Sequence, residues 1–177
     1  SAKFILVDVV ECLEKEKIKA IAPSLEYHIG SSDKFAREYK EYKNILKSFK
    51  LIHIDSSHTF ETTYNEVKLT DELLSDDGVA VFDDYTNLHY SQILPALYKY
   101  IYVKKPDLSV FLVTNEKIYL CRKKMLNFYL NFVLNDISQY IKLRSFDGVK
   151  KTVIARTDIS EHYRAFYLRK MGANETD

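Results

Sequence analysis

The stretch from Lys50 to Tyr85, KLIHIDSSHTFETTYNEVKLTDELLSDDGVAVFDDY, constrains the fold more than any other part of the chain. Two short apolar runs bound it, Leu51 to Ile54 and Val79 to Phe82. Each ends in acid: Asp55 after the first, Asp83 and Asp84 after the second. Between them, Phe60, Tyr64, Val67, Leu69, Leu73 and Leu74 recur at roughly helical spacing. Ser75-Asp76-Asp77-Gly78 then predicts a turn closing that helix, with glycine where a left-handed residue is wanted. The pattern is strand, crossover helix, strand, a βαβ unit with parallel strands. A right-handed crossover puts both strand ends on one edge of the sheet. Asp55, Asp83 and Asp84 are therefore expected as neighbours in space. Ligands in open α/β sheets bind at that edge, so the three acids are the first candidates for chemistry.

A chain of 177 residues suits one domain with a substantial core. The near balance of 26 basic and 25 acidic residues gives no electrostatic reason to expect nucleic acid or a membrane surface as partner. No apolar run approaches the roughly 20 residues of a membrane span, and no signal peptide is visible. Cys12 and Cys121 lack a CxxC spacing and fit small buried apolar residues in a reduced, cytoplasmic setting.

Taken in order, Lys3 to Val10 (KFILVDVV) reads as a buried strand with Asp8 near its end and Glu11 just beyond. Glu11 to Ala22 reads as a charged helix ended near Pro23. Ser24 to Ile29 is a second strand, followed by Gly30-Ser31-Ser32-Asp33, where Ser31 or Ser32 caps a helix running to about Lys47. After the βαβ unit, Tyr90 to Tyr102 reads as a helix that Pro95 kinks or breaks. Asp107 to Lys123 is two apolar runs joined at Thr114-Asn115-Glu116, a hairpin signal. Met125 to Ile141 is apolar at helical spacing, Lys151 to Ala155 reads as a strand and Ser160 to Met171 as a closing helix. The expectation is an α/β chain with a doubly wound, mostly parallel sheet, an antiparallel hairpin strand and a mainly helical tail. The boundaries are 1–124 for the α/β domain and 125–177 for a helical extension packed on it.

The motifs IDSSH at Ile54 to His58 and GVAVFDDY at Gly78 to Tyr85, followed by an antiparallel strand pair, resemble the class I S-adenosylmethionine-dependent methyltransferases. Within them the pattern is most similar to metal-dependent small-molecule and sugar O-methyltransferases, the macrocin O-methyltransferase-like and cephalosporin-hydroxylase-like groups. The resemblance covers about residues 3 to 123. It implies a Rossmann-like three-layer αβα fold and S-adenosylmethionine as cofactor, with Mg2+ as an accompanying ion. Carried onto this sequence, Asp8, with Glu11 as a weaker candidate, would hold the ribose hydroxyls, and Gly30-Ser31-Ser32 would lie near the adenine. Asp55 would serve as metal ligand and general base, with Asp83 and Asp84 completing the metal site and His58 lining the reaction centre. Two departures stand out. The family's glycine-rich loop after its first strand is absent, as this sequence starts beyond the point where it would occur. That leads us to expect either a piece of a longer chain or a domain without cofactor binding. Ser56 and Ser57 also replace the third and fourth residues of the family's "IDGD", its glycine and its second acid.

The residues carry their own warrants. Three carboxylates at one sheet edge repel one another unless a cation or basic group is present, and hard divalent ions take oxygen ligands. The plain alternative is that strand-end acids cap helices and meet solvent. His58 and His89 flank the acids and are candidates for the general base; each is equally an ordinary loop histidine. His28 and His53 lie inside strands and read as packed residues. Tyr85, Thr86 and Asn87 would line the pocket mouth. Asp8 at a strand end suits a vicinal diol. The stripe from Leu126 to Ile141 reads as core or as the face of a homodimer.

The function expected from all this is methyl transfer from S-adenosylmethionine to a hydroxyl of a small metabolite or sugar. Asp55, His58 and His89 are the catalytic candidates, Asp8, Glu11, Gly30, Ser31, Ser32 and Asp55 bind cofactor, and Asp55, Asp83 and Asp84 bind metal. The partner is a small-molecule methyl acceptor, with neither nucleic acid nor membrane. Two rivals stay open: a non-catalytic methyltransferase-like scaffold or dimerisation domain, and a metal-dependent hydrolase using the same acids. The scarcity of glycine, four in all, argues against a phosphate loop for the latter.

Overall fold

A computed structural model describes residues 3–10, 20, 22–114, 116–137, 152–160 and 163–170. The chain divides into two compact units, Ser1–Asn44 and Ile45–Asp177. Glu11, Cys12 and nearly all of the helix expected from Glu11 to Ala22 lie outside the described residues.

In the first unit, β1 (Phe4–Asp8) and β2 (Leu25–Ile29) pair in parallel, from Phe4 opposite Leu25 to Asp8 opposite Ile29. They form a two-stranded sheet of their own. Helix α1 (Ser32–Glu38) starts where Ser31 Oγ accepts the Lys34 N–H at 3.2 Å, so the serine cap expected from the sequence is present. The helix is much shorter than expected. Tyr39 leaves it with extended backbone (ψ 111°), and a separate 3-10 turn, Tyr42–Ile45, follows. The tyrosine hydroxyl is committed elsewhere: it donates to Glu26 at 2.7 Å and accepts from Lys3 at 2.9 Å. The Lys3 ammonium and this hydroxyl hold the Glu26 carboxyl below the usual range.

The second unit is built on a six-stranded sheet of order β3-β4-β6-β5-β8-β7. Its strands are β3 (Phe49–Ile54), β4 (Leu74–Phe82), β5 (Leu108–Thr114), β6 (Ile118–Arg122), β7 (Thr152–Ser160) and β8 (Tyr163–Lys170). The βαβ unit is present. Helix α2 (Phe60–Leu73), capped by Thr59, joins β3 to β4, and these two strands run parallel with Ile54 opposite Phe82. The hairpin is present too, with β5 and β6 antiparallel and β6 lying against β4. β5 pairs in parallel with β8. The result is a mixed α/β protein, the class the sequence leads one to expect; in place of one mostly parallel sheet, the described strands form two sheets, and the six-stranded one has two parallel and three antiparallel pairs.

Three expectations need correction. Ser75 to Gly78 does not form a separate turn but an irregularity within β4, because the register jumps from Phe49 opposite Leu74 to Leu51 opposite Val79. Gly78 is not left-handed there. A Cβ on it would lie 2.7 Å from the Phe49 carbonyl oxygen and 2.7 Å from Leu74 Cδ1, so the glycine is required by close approach of the backbone. The closing helix expected over Ser160 to Met171 is instead β8, antiparallel to β7. Its sequence, YRAFYLRK, holds three aromatic residues and a short apolar run between charges, a composition that suits a strand. Among its described residues, the tail expected to be mainly helical is a short helical stretch and a hairpin. That stretch is α4 (Leu126–Asn131), continued by a π-helical turn, Phe132–Ile137; residues 138–141 of the expected helix lie outside the described ones.

Pro95 is accommodated rather than disruptive. It falls in the first turn of α3 (Ile93–Lys99), where its missing N–H costs little, and a π-helical turn, Tyr100–Lys104, continues from the helix. The main core joins Val67, Leu74, Ala80, Phe82, Leu97, Leu108, Ile118 and Leu120, all nearly or fully buried. A second cluster seats α4 on the sheet through Phe111, Leu112, Cys121, Leu130 and Val133. Burial pushes the Cys121 thiol up to about 12, so it is an inert apolar residue as expected. Arg122, 3% exposed, donates to Asp71 Oδ1 at 2.6 Å and to the carbonyls of Asp71 and Leu74 at 2.7 and 2.5 Å. It thereby ties the end of α2 to β6.

Candidate functional site

The carboxyl ends of β3 and β4 lie side by side, and the pairing reaches one step past the strands, where the Asp83 N–H donates to the Ile54 carbonyl at 2.9 Å. This places the chain from Asp55 to Thr59 beside the chain from Asp83 to Tyr90. Ser56 anchors the first loop: its hydroxyl donates to Glu66 Oε2 at 2.7 Å, and Glu66 is buried on α2. His58 and Asp84 both have left-handed backbone, at φ 58° and 53°. Such residues are uncommon outside glycine, and they concentrate where the fold must aim a side chain.

The side chains converge. His58 Nε2 lies 3.4 Å from Asp55 Oδ1 and 3.2 Å from Asp84 Oδ2. Neither approach has hydrogen-bond geometry, and the buried Nε2 has no hydrogen-bond partner. One ligand atom each from Asp55, His58 and Asp84 lies within 4.8 Å of the others. Asp84 is oriented from behind by Asn87, whose Nδ2 donates to Oδ1 at 3.2 Å and leaves Oδ2 facing the imidazole. The His58 ring stacks on Tyr90, centroids 4.2 Å apart and planes 19° from parallel. Two carboxylate oxygens at this edge are donors that a hard divalent cation takes, and the unpartnered imidazole nitrogen between them can ligate such an ion or take a proton.

Asp83 is engaged differently. Its Oδ1 accepts the Asp84 N–H at 2.9 Å, and its Oδ2 is paired with the Lys117 ammonium, with His53 Nε2 3.6 Å away. Burial pushes the Asp83 carboxyl up, but the Lys117 ammonium and the Asp84 amide outweigh it and leave the pKa below the usual value. His53, expected as packed, is half exposed on the edge strand β3. His89 is exposed on the 3-10 turn Leu88–Tyr90 and is not one of the converging groups; its N–H donates to Asn87 Oδ1 at 3.0 Å. Tyr85 does not offer a free hydroxyl. It is 2.8 Å from the Tyr98 hydroxyl, and burial pushes its pKa well above the usual value.

The residues expected to hold the cofactor, Asp55 apart, belong to the first unit. Asp8 ends β1, its carbonyl accepts the Gly30 N–H at 2.7 Å, and its Oδ1 accepts the Val10 N–H at 3.2 Å. Gly30 has φ 152°, a conformation that side chains disfavour, and a Cβ there would meet Lys34 Cδ at 2.8 Å. Ser31 Oγ is used by the helix cap. A cavity of about 400 Å³ is walled by Gly30, Ser31, Glu26, His28, Phe35 and Tyr39, with Asp8 outside its lining. The His28 ring packs edge-on against Phe35 and Tyr39, the packed role expected for it.

Residues 9–85 match the family of methyltransferase domains. The matched stretch is fewer than half of the 177 residues, but it takes in β2, α1 and the whole βαβ unit, with Asp55, His58, Asp83 and Asp84. It supports a methyltransferase, of a class whose usual cofactor is S-adenosylmethionine. No curated protein matches the chain. Among the described residues, no helix of this methyltransferase-like protein is long and apolar enough to cross a membrane.

Three contributors to the site escaped the sequence reading. Glu66 could have been found, because a carboxylate on the buried stripe of α2 calls for a polar partner, and Ser56 supplies it. Lys117 could have been found by extending the β4–β6 pairing, since Ile118 opposite Phe82 puts Lys117 opposite Asp83. Tyr90 has no comparable local signal.

Proposed function

We propose that the protein is an S-adenosylmethionine-dependent O-methyltransferase of Rossmann-like three-layer fold, acting on a hydroxyl of a small metabolite or sugar with help from a divalent cation such as Mg2+. The observation that carries this reading is the convergence of Asp55, His58 and Asp84 at the carboxyl edge of β3 and β4, inside the stretch that matches methyltransferase domains. Asp55 and Asp84 would hold the cation, their carboxylate oxygens being the donors that such an ion prefers. A bound ion lowers the pKa of a coordinated hydroxyl, and S-adenosylmethionine supplies a methyl group on a sulfonium.

His58 is the group that takes the proton. Its Nε2 has no hydrogen bond to give up, and the stack on Tyr90 fixes the ring plane. The acceptor oxygen would take the methyl carbon from the sulfonium, leaving the carbon–sulfur electron pair on sulfur, and His58 would accept the hydroxyl proton. Most of the acceleration comes from holding oxygen and methyl in line. Asp8, adjacent to the Cβ-free backbone of Gly30, suits the ribose diol and the close approach of a nucleoside. Gly30 and Ser31 bring the neighbouring cavity, with its His28, Phe35 and Tyr39 wall, into the cofactor's range.

Calorimetric titration of S-adenosylhomocysteine into the protein, with and without Mg2+, tests the proposal. Binding near the micromolar range, about −8 kcal/mol, that is lost in Asp8→Ala is the expected result. An absence of binding in either condition moves the reading to a non-catalytic scaffold.

A further inference from the structure

We propose that Lys117 is a positioning residue that sets how strongly the acid cluster holds a cation, by keeping Asp83 as its own partner in the ion-free protein. The inference rests on the reading of Asp55 and Asp84 as a cation site. It starts from register: Phe82 faces Ile118 across the antiparallel β4–β6 pair, so the next step puts Asp83 opposite Lys117. The hairpin fixes the lysine backbone. The Lys117 N–H donates to Thr114 Oγ1 at 3.1 Å, and its carbonyl accepts the Thr114 N–H at 2.8 Å.

From that base the ammonium reaches Asp83 Oδ2, while Asp83 Oδ1 is taken by the Asp84 N–H. Both oxygens of Asp83 are therefore engaged, whereas Asp55 and Asp84 each turn one oxygen toward His58. Charge supports the same division. Asp55, Asp83 and Asp84 bring three negative charges and Lys117 one positive, which leaves −2, the charge that one divalent ion neutralises. The Asp83 side chain is only 17% exposed, so solvent screens its charge weakly. Without the ammonium, Asp83 is free to turn to the ion, or at the least to attract it.

Calorimetric titration of Mn2+ into the full chain tests this, with Lys117→Met, Asp83→Asn, the double variant, Lys117→Arg and Asp84→Asn compared with the parent. Lys117→Met should bind Mn2+ on the order of tenfold more tightly, Lys117→Arg should bind like the parent, and the double variant should bind no more tightly than Asp83→Asn alone. A Lys117→Met protein that binds no better than Lys117→Arg overturns the proposal, and so does a gain that persists in the Asp83→Asn background. If the parent gives no Mn2+ binding, or Asp84→Asn binds as well as the parent, the cation site itself fails and this proposal with it. Thermal melts of each variant separate these outcomes from loss of the fold.

Discussion

The imidazole of His58 lies flat against the ring of Tyr90, 4.2 Å between centroids, while its Nε2 points between Asp55 and Asp84. One face of the ring is thus fixed by an aromatic neighbour and its edge is left for chemistry. His58→Gln should lower kcat by about 10²- to 10⁴-fold while leaving Mg2+ binding in place. Tyr90→Ala should act in the same direction by a smaller factor, through a loosened ring. Steady-state kinetics set beside Mg2+ calorimetry decide the role: loss of ion binding in His58→Gln would make His58 a ligand rather than the base.

Ser56 predicts how the loop is held. Its hydroxyl links the Asp55–His58 turn to buried Glu66 on α2. Ser56→Ala removes it and should cost about 1 kcal/mol, the typical contribution of one hydrogen bond. Urea unfolding measures that loss.

The Asp83–Lys117 pair sets a pH window. The Asp83 carboxyl is held below its ordinary value, the rise from burial being outweighed by Lys117, and Lys117 is held above its own by the same bond. A depressed acid stabilises the fold above its unfolded pKa of about 4 and loses that contribution as pH falls through the folded value. A raised base stabilises the fold below its unfolded pKa of about 10 and loses the contribution as pH rises through the folded value. The advantage of the parent over Asp83→Asn in melting temperature, measured with chelator present, should therefore be nearly level between about pH 5 and 9 and shrink below about pH 4. An advantage that grows on acidification contradicts the pairing.

The parts legible in the sequence were those fixed by local chemistry. Apolar runs ending in acid located β3 and β4, helical spacing located α2, and Ser31 marked the start of α1. What was missed depends on contacts far apart in the chain. Nothing near Tyr39 signals that its hydroxyl is drawn to Glu26, so α1 stops early without a glycine or proline to announce it. Gly78 looks like a helix stop by position, and only the approach of the Phe49 carbonyl explains it. The acid cluster was legible as a group but not in its detail. Left-handed backbone at His58 and Asp84 brings a histidine into the place expected for Asp83, and Lys117, opposite across the β4–β6 pair, takes Asp83 for itself.

Arg122 makes the sharpest prediction about stability. It comes from the end of β6 and donates to one carboxylate oxygen and two carbonyls at the junction of α2 and β4, all at 2.5 to 2.7 Å. Arg122→Leu keeps much of the apolar stem but leaves the Asp71 carboxylate and both carbonyls without these donors. Removing one partner of a buried ion pair costs about 3–5 kcal/mol, and the partial exposure of Asp71 places the expectation near the lower bound. Asp71→Asn keeps a side-chain acceptor for the guanidinium and should cost less. Urea unfolding of the two variants orders them. If both are destabilised equally, the charge on Asp71 matters more than the carbonyl contacts. If Arg122→Leu is much the worse, the guanidinium serves chiefly to satisfy the end of α2.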